Sequence, residues 1–164
     1  MKYQRGFTLI EIMVVIVIAA ILMGAVTMSF PRTGDDLLKE DAGRFTALVS
    51  LVQDEAILQS RDMALAINEN GYQFYSRESG KWTSYSEGPF VARSLRGGIK
   101  SNLYIEGVST KLKKSAKTNP QIVILSSGEM TPFTYFLGDA DQSNITISVN
   151  AVGTVKQEFK REEE

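Results

Sequence analysis

The stretch Gly6-Phe7-Thr8-Leu9-Ile10-Glu11 opens an apolar run that continues to Val26, and its reading decides the architecture of the chain. Across residues 7–26 the only polar side chains are Thr8 and Glu11. Those 20 residues span ~30 Å as a helix, the hydrocarbon thickness of a bilayer. Upstream, residues 1–5 carry Lys2 and Arg5 and no acid. A basic head before an apolar run also describes a secretory signal peptide. Signal peptides, however, have apolar runs of ~7–15 residues that end in a small-residue cleavage site. This run is longer and passes through Gly24, Thr27, Met28 and Ser29 with no such ending. It therefore reads as a membrane anchor. The positive-inside rule keeps Lys2 and Arg5 cytoplasmic and sends the C-terminal bulk across the membrane.

Glu11 does not fit a plain anchor, because an ionised carboxylate in hydrocarbon is costly unless it is paired or reaches the interface. With the basic head, Gly6, Phe7 and the long apolar run, it makes this segment resemble the type III signal of the type IV pilin superfamily. The resemblance implies a prepilin peptidase/methyltransferase that cuts between Gly6 and Phe7 and methylates the new Phe7 amine. It also implies that Glu11 is the assembly residue. The chemistry is consistent with those roles. A glycine leaves the peptide bond open to a protease at the membrane face. The cut removes Lys2 and Arg5, leaving 16 basic and 19 acidic side chains, a formal −3. The positive α-amine it creates is a natural counter-ion for the Glu11 carboxylate of a neighbouring subunit.

Beyond the run, Pro31 interrupts the helical ladder, and Gly34-Asp35-Asp36 offers a restart with acids at the new N-terminus. Leu38, Ala42, Phe45, Val49, Val52 and Ala56 follow at alternating steps of four and three, a single helical stripe that Leu48 and Leu51 widen. Lys39, Glu40, Arg44, Gln53 and Asp54 fall opposite. The stripe is read as packing on a sheet rather than as a coiled-coil seam. From residue 63 the period turns toward two. Strands are expected at 63–68, 72–76, 81–85, 103–106, 122–125, 132–137, 145–149 and 152–159, with turns at Asn70-Gly71, Ser79-Gly80 and Ser127-Gly128. The expected class is α+β and pilin-like, a long N-terminal helix laid on an antiparallel sheet. Its segments are a cleaved leader 1–6, a transmembrane helix 7–30, a periplasmic amphipathic helix 31–62 and a sheet domain 63–164.

The run from Ser126 to Phe133 (Ser-Ser-Gly-Glu-Met-Thr-Pro-Phe), the strand Ile145-Thr146-Ile147-Ser148-Val149 and Gly153 resemble the H-type minor pseudopilins of type II secretion. The absence of a C-terminal cysteine pair fits pseudopilins better than many major pilins. The resemblance implies a structural subunit near the tip of a periplasmic pseudopilus that supports export of folded proteins. Its implied partners are other minor pseudopilins, the major pseudopilin and the inner-membrane secretion platform. The implied location is the Gram-negative inner membrane, single pass, with the C-terminal domain in the periplasm. The alternative is a minor type IV pilin for pilus assembly or DNA uptake.

Composition argues against other classes. The 164 residues contain no His and no Cys, which removes Ser-His-Asp and Cys-His triads, Cys/His zinc sites and disulfides. No enzyme, cofactor or metal site is expected. With 18 basic and 19 acidic residues there is no global basic field for nucleic acid, and the tail Lys160-Arg161-Glu162-Glu163-Glu164 would repel phosphate. Lys111, Lys113, Lys114 and Lys117 cluster between two strands and are read as a solvated loop rather than a contact for anionic lipid or an acidic partner. Residues 139–144 have the spacing of a calcium loop but carry Asn144 and Asn150 where an EF-hand needs Gly and Glu, so they are read as a turn.

Overall fold

A computed structural model describes residues 8–26, 34–96, 98–114, 119–138 and 143–161. The chain divides into two units, residues 1–32 and 33–164. The first holds helix α1 (Leu9–Val26), capped by Thr8. The Thr8 carbonyl accepts from the Glu11 and Ile12 amides at 3.1 and 3.3 Å, and its hydroxyl accepts from the Glu11 amide at 3.3 Å. This is the threonine half of a capping box with Glu11 at the third helical position. Side chains 8–21 are all exposed. Among the described residues no helix is long and apolar enough to cross a membrane. As described, α1 has 18 residues and a rise of about 27 Å, against ~30 Å of hydrocarbon.

The second unit begins with α2 (Gly34–Leu58), whose first turn carries Asp35 and Asp36 where carboxylates meet the positive end of the helix dipole. It ends on Ser60, at a left-handed φ of 49°. There the Arg61 amide bonds the Ala56 carbonyl and the Ser60 amide bonds the Ile57 carbonyl, both at 3.1 Å, the Schellman pattern. The strands then run β1 (Met63–Asn68), β2 (Gly71–Glu78), β3 (Lys81–Tyr85), β4 (Arg93–Ser94), β5 (Lys100–Ile105), β6 (Val108–Thr110), β7 (Ile122–Ile124), β8 (Phe133–Gly138), β9 (Ser143–Val149) and β10 (Val155–Arg161).

They form two antiparallel sheets rather than one. The first has the order β3-β2-β1-β7, with β4 also paired to β2; the second has the order β10-β9-β8-β5-β6. A period of two tells which face a residue takes but not which strand it pairs with. The chain leaves the first sheet after β4, starts the second with β5 and β6, and returns to β1 through β7. The Ile124–Met130 bridge and the Met130 amide's bond to the Ala151 carbonyl (2.9 Å) then tie β7 to the β9–β10 turn.

Helix α2 touches strands of both sheets, β1 and β7 of the first and β8 and β9 of the second. Leu38, Ala42, Phe45, Leu48, Val49, Val52 and Ala56 are buried in one cluster with residues from both. Leu51 is 41% exposed and does not widen the stripe. Phe45 is the joint. Its ring centroid lies 5.0 Å from Tyr72 of the first sheet and 4.8 and 6.2 Å from Tyr135 and Phe133 of the second. Burial pushes the Tyr72 hydroxyl up to about 12 and raises that of Tyr135 as well, so both stay neutral in the core. β8 and β9 alternate buried and half-buried residues, whereas β1 is buried throughout.

Two hairpins separate turn chemistry from packing. Ser79-Gly80 joins β2 to β3 with φ of 48° and 80° at its two residues, as a tight twisted hairpin requires. The turn expected at Asn70-Gly71 instead lies at Glu69-Asn70, and Gly71 is already the first residue of β2, opposite Asn68. Gly71 is needed for a different reason: a Cβ there would overlap the Arg93 carbonyl of β4.

Candidate functional site

Of the residues singled out for processing and assembly, Gly6 and Phe7 lie outside the described residues. Glu11 sits in the first turn of α1, exposed, with its amide held by Thr8. A carboxylate there meets the helix N-terminal dipole favourably, so Glu11 suits the helix even though it does not suit hydrocarbon. The apolar side chains that follow are uncovered: Leu9 is 79%, Ile10 71%, Ile16 62% and Ile21 66% exposed. An apolar surface of that extent needs a lipid or protein environment.

On α2 two clamps fasten the strands, and neither was evident from periodicity. In the first, Arg96, from the loop after β4, donates to Asp41 Oδ1 through Nε (3.0 Å) and one terminal nitrogen (2.8 Å), and to Glu40 through the other (2.8 Å). Its own amide bonds Asp41 Oδ2 at 3.2 Å. Asp41 is buried, and the two acids, Asp41 first, raise the guanidinium pKa above its ordinary value. Removing either partner of such a pair strands a charge, so the clamp fixes geometry more than it adds net stability.

The second clamp involves Gln53, which the helical stripe places on the outer face. Its amide instead donates to the Gly128 carbonyl at 2.7 Å and the Val152 carbonyl at 3.1 Å. It thus bridges the turn after β7 and the turn between β9 and β10. A Cβ on Gly153, which has φ of 81°, would overlap that amide. Gly128 and Gly153, the glycines of the two distal stretches that resemble H-type pseudopilins, therefore meet on a single side chain of α2.

Among the described residues no group of three or more His, Cys, Asp or Glu is placed to hold a metal. Residues 139–142 and Lys117 lie outside the described residues, while Ser143 and Asn144 open β9. Gln142 and Lys117 thus leave the calcium-like turn and the basic cluster only partly described.

Comparison with known proteins agrees with this geometry at both ends of the chain. The profile of the prokaryotic N-terminal methylation motif matches residues 1–27. That of type II transport protein GspH matches residues 41–153. Type II secretion system protein H of Pseudomonas aeruginosa is 32% identical, over 93% of this chain and 94% of its own length. The protein of the same name from Vibrio cholerae is 31% identical over 82% of each. In structure, the chain resembles the crystal structure of the minor pseudopilin EpsH of Vibrio cholerae, with a TM-score of 0.64 at 22% identity over 77% of this chain and 98% of that one. It also resembles the solution structure of GspH from Escherichia coli, with a TM-score of 0.59 at 20% identity over 75% of this chain and 88% of that one. At those identities the structures establish the pilin-like fold, and the sequence matches establish the kinship. The chain belongs to the GspH family, the H-type minor pseudopilins of type II secretion.

Proposed function

We propose that this chain is made as a precursor, cut between Gly6 and Phe7, methylated on the Phe7 amine, and drawn from the inner membrane into the type II secretion pseudopilus near its tip. Segments 1–6 and 7–30 are its leader and single-pass anchor, and segments 31–62 and 63–164 are its periplasmic helix and sheet domain. The observation that carries this reading is the pairing of an exposed Glu11 in the first turn of α1 with the exposed apolar side chains that follow it along the helix. Lipid covers that surface in the lone subunit, and the helices of neighbouring subunits cover it in the filament. Its partners on this account are the prepilin peptidase/methyltransferase, the secretion platform, the major pseudopilin and the other minor pseudopilins. The role is structural, and the subunit does no chemistry of its own.

Intact-mass measurement of the membrane form from a peptidase-competent host tests the first step. The expected mass lacks residues 1–6 and carries one added methyl. A protein that retains its leader in such a host would overturn the processing, and Gly6→Leu should accumulate as uncut precursor.

A further inference from the structure

Five of the nine described basic side chains without an ion pair gather at one end of the second unit. Arg44, Arg61, Arg77, Arg96 and Arg161 each have a carboxylate partner. Arg93, Lys100, Lys111, Lys113 and Lys114 have no ion pair among the described residues, and the four lysines are exposed. They surround the Glu69-Asn70 turn. Lys100 and Lys111 line a cleft of about 680 Å³ with Glu69 and Asn70. Arg93 and Lys114 line a second cleft, of about 210 Å³, on the other side of Asn70. The Lys113 carbonyl accepts from the Glu69 amide at 3.1 Å, which fixes the lysine segment to this turn. Glu69 is the one acid among these linings, and the nearby Glu40 and Asp41 are already engaged by Arg96. A formally acidic chain thus presents a face on which five basic side chains outnumber one acid.

The position of that face is set by the first clamp. The Leu95 amide bonds the Asn70 carbonyl at 2.7 Å, and the adjacent Arg96 reaches Leu37, Glu40 and Asp41. The cationic face therefore lies beside the first two turns of α2. Residues 27–33 link the start of that helix to Val26, the end of α1, so at most ~30 Å of chain separates them.

We propose that Arg93, Lys100, Lys111, Lys113 and Lys114 form a seat for anionic phospholipid headgroups, used while α1 is in the bilayer. This rests on the anchoring reading above and adds a second, electrostatic contact with the same membrane. Each Lys or Arg held near an anionic surface strengthens the attraction roughly fivefold, and salt screens it. The seat gives the lone subunit a fixed pose before assembly, and the contact must break when the subunit leaves the membrane.

The test uses the full chain, reconstituted in vesicles of phosphatidylcholine alone or with added phosphatidylglycerol. A membrane-impermeant amine reagent is applied and each lysine is read by mass spectrometry. Lys81, exposed at the opposite end of β2, is the internal reference. Labelling of Lys100, Lys111, Lys113 and Lys114 should fall roughly fivefold with phosphatidylglycerol and recover in high salt. The triple variant Lys111→Gln, Lys113→Gln, Lys114→Gln alters only exposed side chains and should relieve the protection of Lys100. Equal labelling in the two vesicles would overturn the proposal. Protection that appears only when other pseudopilins are co-reconstituted would also overturn it, assigning the face to an acidic protein instead. Flotation with neutral vesicles tests the anchor separately. A chain that floats with them but shows no charge-dependent protection refutes the seat alone, and one that floats with neither kind refutes both.

Discussion

Phe45→Ala should cost the second unit about 3–5 kcal/mol, a large part of the ~5–15 kcal/mol that holds an ordinary domain together. Phe45 is fully buried, and its ring meets Tyr72 of one sheet and Tyr135 and Phe133 of the other. Truncating it leaves a cavity where helix and both sheets converge, and three aromatic rings lose a partner. Phe45→Leu keeps most of the volume and should lose less. Urea unfolding of residues 33–164, followed through the single tryptophan, Trp82, measures both. A Phe45→Ala loss below ~1 kcal/mol would mean that the sheets hold each other without α2.

Glu11→Leu should leave processing and membrane levels intact and abolish assembly. If α1 anchors the lone subunit as proposed, Glu11 lies one turn inside the apolar run, within snorkelling reach of the interface. On the proposed reading, the methylated Phe7 amine of a neighbour becomes its partner in a bundle of α1 helices, where water is scarce. Only one axial offset brings the two charges together, so the pair marks register. Removing the carboxylate leaves that amine buried and alone, a penalty of about 3–5 kcal/mol per inserted subunit. Glu11→Asp keeps the charge on a shorter arm and should be partly defective. Secretion of the system's substrates, set against the amount of subunit in the membrane, reads both variants. Full secretion by Glu11→Leu would refute the pairing.

Local chemistry made much of the fold legible. The stripe from Leu38 to Ala56 could be read because burial on a helix follows its 3.6-residue period, and six of its positions are at most 1% exposed. Ser79-Gly80 could be read because a two-residue hairpin needs left-handed residues. The end of α2 was harder to place, since Ser60 takes the left-handed position that glycine usually marks. The hairpin between β5 and β6 was missed for a related reason: Glu106 shares that turn with Gly107, at φ of 49°. The two sheets and the two clamps were not legible at all, because they join residues distant in sequence. Asp41 and Arg96 are 55 residues apart, and Gln53 is 75 from Gly128 and 99 from Val152. A buried acid on a helix shows in sequence only as one more charge near an apolar stripe. Glu11 is the opposite case: it stood out because a charge in an apolar run is costly unless it is paired or reaches the interface.

The most direct test of the account is crosslinking of this subunit in secreting cells, with the adducts identified by mass spectrometry. The account predicts that the neighbours of the wild-type chain are other pseudopilins, and that these adducts vanish in Glu11→Leu while the variant remains processed and membrane-bound. Wild-type adducts that contain no pseudopilin, or the same adducts at the same yield from Glu11→Leu, would contradict it.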